Sequence, residues 1–145
     1  MNPFEELIQE LGPLLNTSLK AEKGSLCHLL IHGSLKVCLE YEPSYERVLI
    51  ASFLAELPPG KFREDVLKEG LKYNALPEAL DGTFAYSEKN NQLVFFLYVP
   101  ISSSPQSFTQ ILLHFVAEAD TWKHAIETGN IQQISRPSIL PPPLS

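Results

Sequence analysis

Residues 104–129 restrict the fold more than any other part of the chain, because their pattern fits only a long amphipathic helix. Ser104 is a favourable N-cap, Pro105 suits the first helical position, and Gly129 is a favourable residue at a helix end. Between these ends apolar side chains recur at spacings of three and four residues: Phe108, Ile111, Leu112, Phe115, Val116, Ala119, Trp122 and Ile126. A helix with such a stripe buries it against the other elements of a core.

A second amphipathic helix is predicted at the start of the chain. Asn2, Pro3 and Glu5 supply its N-cap, its first helical residue and its capping-box partner. The apolar stripe of this helix consists of Phe4, Leu7, Ile8, Leu11 and Leu15. Because Gly12 and Pro13 disfavour a continuing helix, we predict that the helix kinks or ends near Leu11.

Five strand-like runs and one more helix complete the predicted elements. The strands are residues 26–32, 34–42, 47–57, 83–87 and 93–100. The helix covers residues 61–73 and follows the helix-breaking residues 58–60 (PPG). The order helix, strand, strand, strand, helix, strand, strand, helix predicts an α+β fold with an antiparallel sheet.

The first two strands are predicted to form a hairpin with a two-residue loop at residues 32–33. This register places Cys27 opposite Cys38, and we expect two free thiols there because the cytosol is reducing. It also places Leu29 and Ile31 on the less apolar face of the hairpin. That face is predicted to be available to a partner.

The composition limits the size, compartment and partners of the protein. With 145 residues, 44% of them apolar, the chain is expected to form one domain, residues 1–129, followed by a flexible proline-rich tail, residues 130–145. A net charge of −6 disfavours nucleic acid and anionic membrane as partners. No targeting segment and no apolar run of membrane-spanning length is visible, which predicts a cytoplasmic protein.

Patterns for catalysis or metal binding are weak. Asp120 and His124 suit two metal ligands or an exposed ion pair equally, and no third ligand accompanies them. His32 and Ser34 lie close together, but no nucleophile elbow or phosphate-binding glycine motif is present. We therefore predict no enzymatic activity, no metal site and no cofactor. The surplus of apolar residues on the first helix and on two strands instead predicts a protein partner or self-association.

Several short segments, together with the order of elements, the small size and the acidity, carry a resemblance to a known family. The segments are residues 4–8 (FEELI), 11–12 (LG), 54–58 (LAELP), 66–74 (VLKEGLKYN) and 115–122 (FVAEADTW). With them the chain resembles the class I chaperones of bacterial type III secretion, the Tir chaperone (CesT) family, which tends to end its second helix on Leu-Leu-x-x-Asn. The resemblance covers residues 3–129. Gly70 departs from it, because the family usually has leucine or alanine there.

This resemblance implies a non-enzymatic, cytoplasmic bacterial chaperone. It would bind the N-terminal segment of a secreted effector or export-control protein in extended form and keep that segment soluble and export-competent. The effector would contact Phe4, Leu7, Ile8, Leu11, Leu29 and Ile31. A homodimer, or a heterodimer with a related chaperone, would form through Phe62, Val66, Leu67, Leu71, Phe84 and Tyr86. The alternative is an α+β adaptor, small-ligand-binding domain or enzyme of similar fold without an export role.

Overall fold

The computed structural model describes residues 1–77 and 80–131 of the chain. The elements in chain order are α1 (Pro3–Leu15), β1 (Leu26–Ile31), β2 (Leu35–Glu42), β3 (Arg47–Glu56), α2 (Lys61–Asn74), β4 (Thr83–Ser87), β5 (Gln92–Pro100) and α3 (Pro105–Glu127). The α+β class and the order of elements predicted from the sequence are confirmed. The predicted proline-rich tail lies outside the described residues from position 132 onward.

The five strands form one antiparallel sheet in the order β1-β2-β3-β5-β4, with the apolar strand β5 in an interior position. Helix α3 packs against β3 and β5, α1 packs against α3, and α2 packs against β4. The inner face of the sheet is covered by the helices, and its buried residues are Cys27, Leu29, Leu35, Val37, Leu39, Val48, Ile50, Ser52, Leu54, Phe84, Leu93, Phe95 and Val99. No helix within residues 1–77 and 80–131 is long and apolar enough to cross a membrane.

The register of the first hairpin differs from the prediction by one residue. Ile31 pairs with Leu35, so the loop has three residues, and positive φ angles at His32 and Gly33 (52° and 74°) allow the chain to reverse there. Cys27 consequently lies opposite Leu39 on the inner face. The predicted pairing of the two cysteines is therefore wrong, because a shift of one residue moves each side chain to the other face.

Helix α1 continues beyond the predicted end near Leu11. It ends at Leu15, and Asn16 closes it in the left-handed region with φ 54°. Pro13 lies in the last turn, where its missing N–H removes a single backbone hydrogen bond. The side chain of Leu15 still packs against the core, so burial favours one more helical turn. The predicted capping box of Asn2 and Glu5 is confirmed, with both of its hydrogen bonds present.

An aromatic cluster fills the core between α2, the sheet and α3. Phe95 stacks on Phe115 at 4.8 Å and lies 4.5 Å from Phe84, whose ring in turn lies 4.1 Å from that of Trp122. Tyr73 of α2 meets three of these rings edge-on, at 5.1 to 6.0 Å. Such contacts add about 0.5–1.5 kcal/mol per pair beyond the burial of area. The cluster ties α2 and α3 to strands β4 and β5.

Glu118 lies at the edge of this cluster and accepts a hydrogen bond of 3.1 Å from Nε1 of Trp122. Burial raises the pKa of this carboxyl, the Trp122 bond lowers it, and the charge of Asp81 raises it further. A carboxyl whose pKa is higher in the folded state stabilises the fold only while protonated. Its ionised form therefore lowers the free energy of unfolding once the pH rises above the pKa of the unfolded chain.

Replacing Glu118 with glutamine is expected to stabilise the protein at pH 7, because glutamine still accepts the Trp122 hydrogen bond and carries no charge. The expected rise in Tm is roughly 1–3 °C, which corresponds to less than about 1 kcal/mol. The gain should vanish below the pKa of glutamate. Thermal unfolding at pH 7 and pH 4 measures it, with the exposed Glu10→Gln as control. A variant that is less stable than wild type at pH 7 would contradict this account.

Candidate interaction surfaces

The face of the sheet opposite the helices is apolar and partly exposed. We call it the outer face, and it consists of Leu30, Cys38, Leu49, Ala51, Phe53, Val94, Phe96 and Tyr98. The register places these residues side by side: Cys38 opposite Ala51, Ala51 opposite Phe96, and Phe53 opposite Val94. Leu30 is 60% exposed, Phe53 50% and Tyr98 41%. Large apolar side chains that are adjacent and exposed mark a surface that binds another molecule.

A groove of about 750 Å³ crosses this face at the β1–β2–β3 side. Leu30, Cys38, Ala51 and Phe53 supply its apolar walls, and polar groups including Lys36 line the rest. The groove is wide and shallow, so it suits an extended peptide better than an enclosed small ligand.

The opposite end of the outer face carries a stacked arginine. The guanidinium of Arg47 lies 3.7 Å from the ring centre of Tyr98 and 4.4 Å from that of Tyr45. Its Nε donates a hydrogen bond of 2.7 Å to Oε1 of Glu42. The arginine is thus held on three sides, and its charge is largely compensated by Glu42.

A second apolar groove, of about 160 Å³, lies between α2 and β4. Leu67, Leu71, Phe84 and Tyr86 are among its lining residues, and Leu71 beside it is 69% exposed. Gly70 is buried at this contact, and a Cβ atom at this position would lie 3.4 Å from Cβ of Phe84, an ordinary van der Waals distance. An alanine would fit here, so this contact does not explain the departure of Gly70 from the family pattern.

Asn74 closes part of the free edge of β4. Its amide nitrogen donates to the carbonyl of Phe84, and its amide oxygen accepts from the Phe84 N–H, both at 2.9 Å. The side chain thus replaces a neighbouring strand at this residue. Reasoning from the sequence did not find this role. The asparagine at the end of the Leu-Leu-x-x-Asn pattern was the signal that could have pointed to it.

The residues predicted to contact an effector lie in the core of the isolated chain. Phe4, Leu7, Ile8 and Leu11 of α1 are at most 6% exposed, and Leu29 is 5% exposed. Ile31 is half-buried. The placement of Leu29 and Ile31 on the less apolar face was wrong, because the corrected register turns both toward the core and turns their neighbour Leu30 outward.

The residues predicted to form a dimer divide into two groups. Phe62 is 39% exposed and Leu71 69%, while Leu67 and Tyr86 are half-buried at the α2–β4 groove. Val66 and Phe84 are buried and hold α2 on the sheet. The hydroxyl of Tyr86 is oriented by two hydrogen bonds of 2.8 Å, accepted from Arg63 and donated to Asn91.

The nearest approach to a catalytic arrangement is Cys38 beside His28 on the outer face. Nδ1 of His28 lies 3.0 Å from Oε2 of Glu22, and Cys38 pairs with His28 across the strands. Burial raises the pKa of the Cys38 thiol, and the charges of Glu40 and Glu22 raise it further. A thiol held protonated in this way is a weak nucleophile and a weak metal ligand.

The predicted pair of Asp120 and His124 on α3 is part of a polar surface site. Oδ2 of Asp120 lies 3.2 Å from Nδ1 of His32 in the β1–β2 loop, so the carboxylate joins α3 to the hairpin. His124 lines the same shallow depression. Within residues 1–77 and 80–131, no group of three or more potential ligands is arranged to hold a metal ion.

The fold is shared with chains in solved structures of secretion chaperones. A chain of the HopA1–SchA chaperone–effector complex superposes with a TM-score of 0.68 at 14% identity, over 85% of this chain and 94% of that one. A chain of the Yersinia pestis type III secretion chaperone SycH with a fragment of YscM2 gives 0.62 at 15%, over 82% and 98%. A chain of the ExoT–SpcS complex from Pseudomonas aeruginosa gives 0.63 at 15%, over 83% and 97%.

The family of this protein is established by a match in sequence. The profile of the Tir chaperone protein (CesT) family matches residues 6–123, and the chain belongs to this family. The resemblance to class I type III secretion chaperones noted in the sequence is thereby confirmed. No curated protein matches the chain in sequence.

Proposed function

We propose that this chain is a cytoplasmic, non-enzymatic chaperone that binds the N-terminal segment of a secreted effector in extended form. The effector segment lies on the outer face of the sheet, where binding keeps it soluble and ready for export. The observation that carries the proposal is the exposure of Leu30, Phe53 and Tyr98 on one continuous apolar face. Apolar surface of this kind associates with protein partners.

Family membership supports this function. The HopA1–SchA structure, whose chain superposes with a TM-score of 0.68, is a chaperone–effector complex. SycH is a type III secretion chaperone. The shallow shape of the outer-face groove also favours a peptide over a small metabolite. These observations favour the chaperone over a ligand-binding domain or an enzyme of similar fold.

Strand addition is the second part of the proposed binding mode. Strands β1 and β4 form the two edges of the sheet. Asn74 occupies the backbone groups of Phe84 on β4, so that edge is partly closed. At β1 the backbone groups of Leu26 are likewise occupied, by those of Glu22. We propose that the effector adds a strand beyond this residue, along the remainder of β1, where its alternate side chains reach the outer face next to Leu30.

A second copy of the chain is the proposed partner at the α2–β4 groove. The projecting side chain of Leu71 and the groove lie next to each other on one surface. In a dimer with two-fold symmetry, Leu71 of each copy would insert into the groove of the other copy. Phe62 and Tyr86 extend this interface, while Val66 and Phe84 support it from below.

Direct contact between an effector and the α1 residues stays a prediction. Phe4, Leu7, Ile8 and Leu11 are buried, so contact with them requires α1 to move away from the core. Leu29 and Ile31 support the outer face from the inner side of the same strand. We therefore propose the exposed outer-face residues as the first points of contact.

Replacing Leu30 and Phe53 together with serine tests the proposal. Each lost anchor is expected to weaken binding by more than about 1 kcal/mol, so the double variant should bind an effector N-terminal segment at least about tenfold more weakly. The fold should survive, since both side chains are largely exposed in the free chain. Calorimetric titration with N-terminal segments of the bacterium's type III effectors measures affinity, and circular dichroism measures the fold.

Leu14→Ser with Leu113→Ser is the matched control, because these leucines are 45% and 50% exposed but lie on α1 and α3. Full-strength effector binding by the folded outer-face variant would move the site elsewhere on the chain. If no effector segment binds the wild-type protein, the adaptor or ligand-binding alternative becomes the better account.

A further inference from the structure

The charges on the outer face are divided between its two ends. Lys36 lies at the end with the groove, where it pairs across the strands with Leu30. Glu40 lies toward the other end of the same strand, opposite Leu26 and Leu49. Four residues of extended chain separate the two positions, which corresponds to about 13 Å.

The carboxylate of Glu40 is uncompensated. It forms no ion pair with any residue in the described part of the chain, whereas the nearest arginine on the face, Arg47, is bound to Glu42 and stacked on two tyrosines. Glu22 lies on the same side and contacts His28 at 3.0 Å. Both Glu40 and Glu22 raise the pKa of the Cys38 thiol, in addition to the larger effect of burial. Their negative field therefore reaches the middle of the outer face.

We propose that the segment bound on the outer face carries a lysine or arginine about four residues from its apolar anchor, and that this cation lies over Glu40 and Glu22. The inference rests on the proposed function and specifies its partner as an extended segment in which apolar and basic residues are set apart. The apolar anchor fills the groove beside Leu30 and Phe53. Complementary charge supplies specificity and speeds association with a chain whose net charge is −6.

The same arrangement sets the direction of the bound segment. A cation placed at the groove end would meet Lys36 and be repelled. At the other end it meets the carboxylates of Glu40 and Glu22, while the charge of Arg47 there is already compensated by Glu42. Like charges brought together at an interface disfavour the wrong partner or the reversed orientation. The uneven placement of Lys36 and Glu40 along one strand thus distinguishes the two directions in which an extended peptide could lie.

Peptide binding to charge variants tests the inference. The probes are overlapping synthetic peptides that span the N-terminal regions of the bacterium's type III effectors, measured by fluorescence anisotropy at low and high salt. Peptides that bind should contain the apolar–basic spacing. Glu40→Lys is expected to weaken their binding about three- to tenfold and Glu40→Gln by a smaller factor, with both effects reduced by salt. Glu10→Lys, an exposed reversal on α1, should leave binding unchanged.

A complementary experiment replaces the basic residue of the peptide with glutamate. The exchanged peptide should bind the Glu40→Lys protein more tightly than it binds wild type, which a general effect on folding would not produce. If peptides bind and depend on Leu30 and Phe53 but not on charge at Glu40, the inference fails and the proposed function stands. If peptides bind but none depends on the outer-face residues, the inference fails and the binding site lies elsewhere on the chain. If no peptide binds the wild-type protein, the inference and the proposed function both fail.

Discussion

Replacing Leu71 with glutamate is expected to convert the proposed dimer into folded monomers and to raise the dissociation constant by about a hundredfold or more. Leu71 is 69% exposed in the isolated chain, so a carboxylate at this position is hydrated in the monomer and costs little there. Once it enters the apolar groove of a second copy, it is buried without a partner. Burial of an unpaired charge costs several kcal/mol.

Light scattering across a dilution series measures this effect, and circular dichroism checks that the monomer is folded. Leu113→Glu is the control, because Leu113 is 50% exposed on α3 and is not part of the α2–β4 groove. Leu71 is a sharper probe than Leu67, whose side chain is half-buried and contributes to the packing of the monomer. A Leu71→Glu protein that still has the wild-type mass would exclude this groove as the interface, and a monomeric wild type would point to a heterodimer.

Replacing Gly82 with valine is expected to destabilise the fold by more than about 1–3 kcal/mol. A Cβ atom at this position would lie 2.6 Å from Cζ of Phe95, and two further ring atoms lie within 2.9 Å. The Phe95 ring cannot retreat easily, because it is packed between Phe84 and Phe115. Either the ring or the start of β4 must therefore shift.

Urea unfolding measures the loss of stability. Thr83→Val at the exposed neighbouring position should have little effect. The sum of the separate costs of Gly82→Ala and Phe95→Leu should exceed the cost of the two together, because the shorter side chain removes the contact. An additive result would show that the close approach of Gly82 to Phe95 is not the cause.

The local elements of this protein could be predicted because each depends on neighbouring residues. The capping box at Asn2, the proline at position 105 and the stripe from Phe108 to Ile126 specify α3 and the start of α1 without reference to the rest of the chain. The end of α1 could not be predicted in this way. Pro13 argues for a stop, and only the core contact of Leu15 outweighs it.

The candidate surfaces were less accessible to prediction, because they depend on which side of an element faces the core. The alternation of side chains along β1 does not show which set faces the core. The length of the loop at Gly33 sets the strand register, and with it whether Leu29 or Leu30 faces outward. A two-residue loop and a three-residue loop differ too little in conformational preference for the composition to distinguish them. The outward positions of Leu30 and Phe53 therefore emerge only from the pairing of three strands.

The sequence by itself determined the order of helices and strands and the α+β class, since these follow from periodicity and capping. It also determined membership of the Tir chaperone family, through the profile match over residues 6–123. Tertiary structure alone decided that the apolar stripe of α1 is buried, that Asn74 covers part of the edge of β4, and that Glu40 and Lys36 lie at opposite ends of an apolar face. The physical reason is that helices and turns are stabilised by residues close in the chain. Burial and strand register instead depend on contacts between residues far apart in sequence.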